Sequence, residues 1–160
     1  MATAFHYLQQ QQEAEEAVQD VFLAVYNAAA RYSPSATPET WIYRITVNKC
    51  LDRLRYRKAR SYIRSVGSLL GVSALAEPIA EPAANAADED IRRLYAAVNK
   101  LPLRQRTALI LTQLQELSGK QAAAIMEATP KAVESLTMRA KANLKKNMLP
   151  AANKPKENNK

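Results

Sequence analysis

Ser118-Gly-Lys-Gln-Ala-Ala-Ala-Ile-Met-Glu-Ala-Thr-Pro-Lys-Ala-Val-Glu-Ser-Leu136 carries two helix-start signals in quick succession, and they decide the fold. Ser118 and Gln121 match a capping box, in which a hydroxyl covers free first-turn amides and a glutamine reaches back. Thr129-Pro130 supplies a second capping hydroxyl, followed by proline where a missing N–H costs nothing. The spacing predicts a short helix over 120–126, a tight connection at Glu127-Ala128, and a longer helix beyond. On that last helix Val133, Leu136, Ala140 and Leu144 form the predicted buried stripe. Lys131, Glu134, Ser135, Met138, Arg139 and Lys141 are left facing outward. This is a helix-turn-helix candidate whose first outward turns hold what a major-groove reader uses: Arg or Lys for guanine, Glu for a cytosine amino group. An ordinary solvated amphipathic helix is the plainer reading of the same pattern.

Working outward, Ile91, Leu94, Tyr95, Val98 and Leu101 predict a helix from near Asp88 that Pro102 closes, and a further helix follows over 104–114. Upstream, Gly67, Gly71, Pro78 and Pro82 within an alanine-rich acidic run mark a linker, with room for a short helix over 63–70. Ala14, Ala17, Val18, Val21, Phe22, Val25 and Ala28 recur at helical spacing and predict one amphipathic helix over 13–32. Ser33-Pro34-Ser35-Ala36-Thr37-Pro38 breaks it, and another helix starts near Glu39 or Thr40 and runs at least through Arg57. With only 3 glycines among 160 residues, sheets joined by tight turns are disfavoured. The expectation is an all-α chain: a first domain over 1–60, a flexible linker over 61–87, a second domain over 88–149 and a polar tail over 150–160.

The single Cys50 excludes a disulfide framework, and with the lone His6 it cannot close a zinc site. No serine, cysteine or carboxylate pair has catalytic spacing, and His6 falls in a terminus expected to be mobile, so neither enzyme activity nor a cofactor is expected. No apolar run reaches the roughly 20 residues that cross a bilayer, and 1–12 lacks the basic start of a signal peptide. A reduced, soluble, cytoplasmic protein is the expectation.

Charge is distributed in blocks. Residues 1–40 carry −4, residues 41–64 carry +7, 65–90 carry −5, 91–149 carry +8 and the tail +2, within a total of +8. Two basic blocks around an acidic one suggest two anion-binding surfaces and a segment that avoids them. On the helix over 41–57, Tyr43, Val47, Cys50, Leu51 and Leu54 share one arc and are expected inside. Trp41, Ile45, Asn48, Asp52, Arg55 and Tyr56 share the opposite arc. Aromatic rings beside an amide and a guanidinium suit unpaired bases, with Arg44, Lys49, Arg53, Arg57, Lys58 and Arg60 placed for phosphates. Packing of Trp41 and Ile45 on a neighbouring helix is the alternative.

The stretches Glu13-Ala-Glu-Glu-Ala-Val-Gln-Asp-Val-Phe22, Trp41-Ile-Tyr-Arg-Ile-Thr-Val-Asn48 and Asp52-Arg-Leu-Arg55 resemble region 2 of bacterial sigma-70 family factors of the extracytoplasmic-function (ECF) type. Leu101-Pro-Leu-Arg-Gln-Arg106, Leu117-Ser118, Ala132-Val-Glu-Ser-Leu136 and Arg139-Ala-Lys141 resemble region 4. The resemblance implies a transcription initiation factor without chemistry of its own. Val18, Gln19, Asp20 and Phe22 would bind the β′ clamp helices of core RNA polymerase, and the β flap would be a second contact. Trp41, Arg44, Asn48, Asp52 and Arg55 would bind the −10 element, with a flipped base held in the 33–40 loop. Lys131, Glu134, Ser135, Met138 and Arg139 would read the −35 element. The acidic linker would thread polymerase near the RNA exit path, and an anti-sigma factor is an implied partner.

Three departures carry expectations. Residues 1–12 stand where relatives have a further helical stretch, so the arc of Tyr43, Val47 and Leu54 is expected to lack its cover and the first domain to be weak alone. The loop reads Ser-Pro-Ser-Ala where relatives often carry Gly and Asp, and Glu134 replaces a common basic residue, so altered promoter preference is expected. Two other readings are a truncated sigma that only titrates partners and a stand-alone helix-turn-helix repressor. The second leaves the acidic first helix and the aromatic arc without a role.

Overall fold

The computed structural model describes residues 1–33, 36–69 and 89–149. The chain divides into two compact units, Met1–Ala83 and Ala84–Lys160. All regular structure among the described residues is helical. The acidic run over 70–88, the tail over 150–160 and Pro34-Ser35 in the loop lie outside the described residues, and with them the readings placed there.

The first unit contains α1 (Ala2–Leu8), α2 (Gln11–Ala28), a 3₁₀ turn (Ala29–Arg31) and α3 (Pro38–Leu69). Residues 1–12 do not leave α3 uncovered: α1 packs against both α2 and α3, burying Thr3, Ala4, Tyr7 and Leu8. Gln9 ends α1 in the left-handed region at φ 57°, donating its N–H to the Phe5 carbonyl at 2.7 Å. His6 is therefore part of an ordered helix, and burial holds its imidazole below the ordinary 6.5. Tyr7 is fully buried and is the largest side chain in this core. Tyr7→Ala is expected to cost about 3–5 kcal/mol, as large-to-small core substitutions of aromatics do. Hydrogen exchange checks it: amides of α2 and α3 should lose protection while those of the second unit keep theirs.

α2 buries Ala14, Ala17 and Val21. Phe22, assigned to that apolar stripe, is instead 70% exposed. On α3, Val47 and Cys50 are buried while Tyr43, Leu51 and Leu54 are half-buried, so the inward arc holds its predicted direction with a shallower packing. The ladder that sets α2 against α3 is ionic. Arg53 donates to Glu16 at 3.0 Å and to Asp20 at 2.7 Å, and Arg57 donates through Nε to Glu13 at 3.1 Å and also to the Leu8 carbonyl at 3.2 Å. Partial burial pulls the Arg53 guanidinium down, but the hydrogen bonds and charges of Asp20 and Glu16 outweigh it and leave its pKa raised. Pairs this accessible contribute on the order of 0.5 kcal/mol each, so they fix helix register more than they stabilise.

The second unit contains α4 (Glu89–Asn99), α5 (Leu103–Leu109) running into a π turn (Ile110–Leu114), α6 (Gly119–Met126) and α7 (Pro130–Met148). Val98 and Leu101 reach the core, Tyr95 is half-buried, and Ile91 and Leu94 are exposed. Val98, Leu101, Leu109 and Ala140 form one cluster with Leu144 against it. Asn147 tethers α7 to the Ala97 carbonyl at 3.1 Å, and Asn143 donates to Gln105 at 2.8 Å.

Candidate nucleic-acid interfaces

Both predicted caps are formed in the second unit. The Gln121 backbone amide donates to the Ser118 hydroxyl at 3.3 Å while the Ser118 backbone amide donates to the Gln121 side-chain Oε1 at 3.0 Å. Thr129 accepts from the Ala132 amide at 3.2 Å. Glu127 adopts φ 50° at the end of α6, and the Ala128 amide bonds back to the Ala123 carbonyl at 3.0 Å. That left-handed residue turns the chain within two positions, so α6 and α7 pack as a helix-turn-helix. On α7, Val133 and Ala140 are buried, and Leu136 and Leu144 are half-buried. Lys131, Glu134, Met138 and Arg139 are exposed on its first three turns, with Ser135 half-buried beside them. Lys141, Lys145 and Lys146 continue the basic charge toward the C-terminal end. A helix so anchored can enter a major groove about 12 Å wide with those side chains leading.

On α3, Trp41, Arg44, Asn48, Asp52 and Arg55 fall on one face at about 100° per residue. Asn48, Asp52 and Arg55 are exposed, and Trp41, Arg44 and Ile45 are half-buried. Trp41 partly realises the packing alternative. Its ring centroid lies 5.1 Å from that of Tyr32, tilted 53°, and the Tyr32 hydroxyl donates to the Ala36 carbonyl at 2.5 Å. The two rings thereby tie the start of α3 to the described part of the loop preceding it. Thr37, just before α3, accepts from the Thr40 amide through its hydroxyl at 3.3 Å. Asp52 accepts from Arg55 at 2.7 Å, which aims the guanidinium along the face carrying Asn48.

The expectation that Arg53 and Arg57 engage phosphates is corrected: both turn away from the Asn48 face and pair with acids of α2. Asp20 is likewise engaged within the chain. Gln19 is exposed and Val18 half-buried. The sequence reading missed two neighbours of Phe22: Leu23 is 62% exposed and Tyr26 82% exposed. The signal was present, since Gln19, Phe22, Leu23 and Tyr26 share one face at helical spacing, opposite Ala14, Ala17 and Val21. A contiguous apolar strip on a solvent-facing helix marks a protein contact.

No helix among the described residues is long and apolar enough to cross a membrane. Among the described residues no cluster of His, Cys, Asp and Glu could hold a metal ion.

Comparison with known proteins matches residues 1–60 to the model for sigma-70 region 2 and residues 91–144 to that for sigma-70 region 4. The RNA polymerase sigma factor CnrH of Cupriavidus metallidurans is 31% identical over 137 residues, covering 82% of this chain and 71% of that protein. The ECF RNA polymerase sigma factor SigM of Mycobacterium tuberculosis is 30% identical over 133 residues, covering 83% and 63%. The fold is similar to sigma factor RpoE bound to the anti-sigma factor NepR from Bartonella quintana, with TM-score 0.67, 24% identity and coverage of 92% and 88%. It is similar also to CnrH in complex with the cytosolic domain of CnrY, with TM-score 0.63, 24% identity and coverage of 91% and 79%.

Proposed function

The chain belongs to the sigma-70 family, as a factor of the ECF type, and from that premise we propose how its residues divide the work. It binds core RNA polymerase and directs promoter recognition and transcription initiation. We assign polymerase docking to the α2 strip of Gln19, Phe22, Leu23 and Tyr26, with Val18 at its edge. Asp20 contributes indirectly, by holding Arg53 and so fixing how α2 lies on α3.

The −10 element falls to the α3 face. Asn48 reads a base edge, Trp41 and Tyr32 support the loop, and Arg55, aimed by Asp52, meets the backbone nearby. The −35 element falls to Lys131, Glu134, Ser135, Met138 and Arg139. The domain division follows the same lines, region 2 work over 1–60 and region 4 work over 88–149, but the linker expected over 61–87 is shortened at its start, because α3 stays helical to Leu69. Polymerase performs the chemistry, and the chain acts in the compartment that holds polymerase. An anti-sigma factor is the further partner, supported by the NepR complex of a structural neighbour.

The observation that carries this reading is α7. Within a helix-turn-helix capped at both starts, its polar residues are exposed together on the face away from Val133 and Ala140. The partner-titrating alternative rested on the short N-terminus, and in the structure those residues form α1, packed against α2 and α3. Arg139→Ala is expected to weaken holoenzyme binding about tenfold on a promoter with its −35 element, and hardly at all once that element is scrambled. Equal effects on both promoters would overturn the assignment of the recognition helix.

A further inference from the structure

α7 must present its reading residues at one angle, yet its buried side does little to fix that angle. We propose that Gln105 and Asn143 are positioning residues for −35 recognition. Their hydrogen bond sets the roll of α7 about its own axis, and with it the bases that Glu134, Met138 and Arg139 meet. The proposal rests on the assignment of the −35 element to α7 and extends it to two residues off the reading face.

The fully buried members of the α7 stripe are Val133 and Ala140, with Leu136 and Leu144 half-buried. One valine and one alanine make a shallow ridge, so shape alone keys the helix weakly against its neighbours. Apolar burial is also non-directional: it holds α7 down without choosing its rotation.

Hydrogen bonds are directional, and here they flank the stripe. At about 100° per residue, Asn143 and Asn147 lie roughly 80° and 40° to one side of Val133, and Thr137 roughly 40° to the other. Asn143 donates to the Gln105 side chain of α5 at 2.8 Å, and Asn147 to the Ala97 carbonyl of α4 at 3.1 Å. Across the stripe, the Thr137 hydroxyl stands 3.4 Å from that of Thr112 in the π turn. Thr112 already donates its one proton to the Ala108 carbonyl at 2.7 Å, so Thr137 is the donor of that longer bond.

Roll in either sense therefore stretches a bond on one flank. Asn143 makes the shortest of these bonds, and it follows Arg139 by one turn on the same side of α7. A side chain reaching about 6 Å from the helix axis moves about 2 Å when the helix rolls by roughly 20°. That displacement breaks a hydrogen bond to a base edge. Asparagine is a poor helix former, yet α7 carries Asn143 and Asn147 four residues apart, both turned onto neighbouring helices. Gln105 and Asn143 are half-buried, so water replaces a lost partner and the fold survives its removal. The pair supplies direction more than stability.

The test uses the full chain assembled with core RNA polymerase and a pool of random-sequence duplexes. DNA bound by wild type, by Asn143→Ala and by the exchange variant Gln105→Asn/Asn143→Gln is sequenced. Each protein is also titrated with the wild-type-selected pool and with unselected duplex. Wild type is expected to enrich a block upstream of the segment in which permanganate marks unpaired thymines. Asn143→Ala should lower the preference for that block about tenfold, the scale of a lost base-edge contact. Its affinity for unselected duplex and its salt slope should stay unchanged, because phosphate contacts carry no base information. The exchange variant keeps two side-chain amides of the same combined length, and it should recover most of the preference.

An unchanged upstream block with Asn143→Ala overturns the proposal. Equal losses on selected and unselected duplex also overturn it, since that is what a merely loosened fold gives. A loss that the exchange variant leaves uncorrected overturns it as well. In each of these cases the wild type still enriches its upstream block, so this inference alone fails. A wild-type holoenzyme that enriches no upstream block removes the −35 assignment, and this inference with it.

Discussion

Phe22→Ala is expected to weaken assembly with core RNA polymerase by about 30-fold or more, the scale of losing a central aromatic anchor. Phe22 sits on the solvent face of α2 at 70% exposure, between Gln19, Leu23 and Tyr26. Its removal leaves the α2–α3 core of Ala14, Ala17, Val21, Val47 and Cys50 untouched, so stability should change little. That separation is what makes the variant informative. Asp20→Ala lacks it, because Asp20 holds Arg53 at 2.7 Å, and its loss would disturb the helix pair and any polymerase contact together. Fluorescence titration of labelled chain against core polymerase checks the prediction. Unchanged affinity for Phe22→Ala would move the docking surface off this strip.

Asn48→Ala is expected to slow open-complex formation by roughly tenfold to a hundredfold, the range of a lost base-edge pair. Core binding should be unaffected, because Asn48 is on α3 and points away from α2. The residue is exposed, and its removal opens no cavity. Stopped-flow fluorescence of a base analogue in the −10 region reads the melting step, and co-elution reads assembly. Equal loss in both measurements would reassign Asn48 to polymerase contact or to folding.

The second unit was the more legible half because its signals are local. Ser118 with Gln121, and Thr129 with Pro130, act within four residues of themselves, and the structure forms both caps where the sequence puts them. α1 gave no such signal. It has seven residues, no capping side-chain bond and no acidic first turn, so it is held by burying Ala4, Tyr7 and Leu8 against distant helices. Helices that short are not stable by propensity, and their contacts cannot be read from composition.

The arginines of α3 teach a related lesson. A net charge of +7 over residues 41–64 treats all cations alike, yet Arg53 and Arg57 are held by acids 33 to 44 residues earlier in the chain. The pairing pattern was nonetheless written in the spacing: Glu13, Glu16 and Asp20 recur every three or four residues, and Arg53 and Arg57 are four apart. Two such rows match once the helices run antiparallel. Phe22 belongs to the apolar stripe by spacing yet is exposed, since a stripe with an apolar residue at every third or fourth position can be drawn wider than the face that is buried.

Selection from fragmented bacterial DNA tests the central claim, that two separate DNA-reading units turn core polymerase into a promoter-specific enzyme. Core RNA polymerase with and without the chain would be incubated with the fragments, and the bound fraction sequenced. Two short sequence blocks at a fixed spacing should be enriched, and only when the chain is present. Enrichment of a single block, or the same fragments with core polymerase alone, would contradict it.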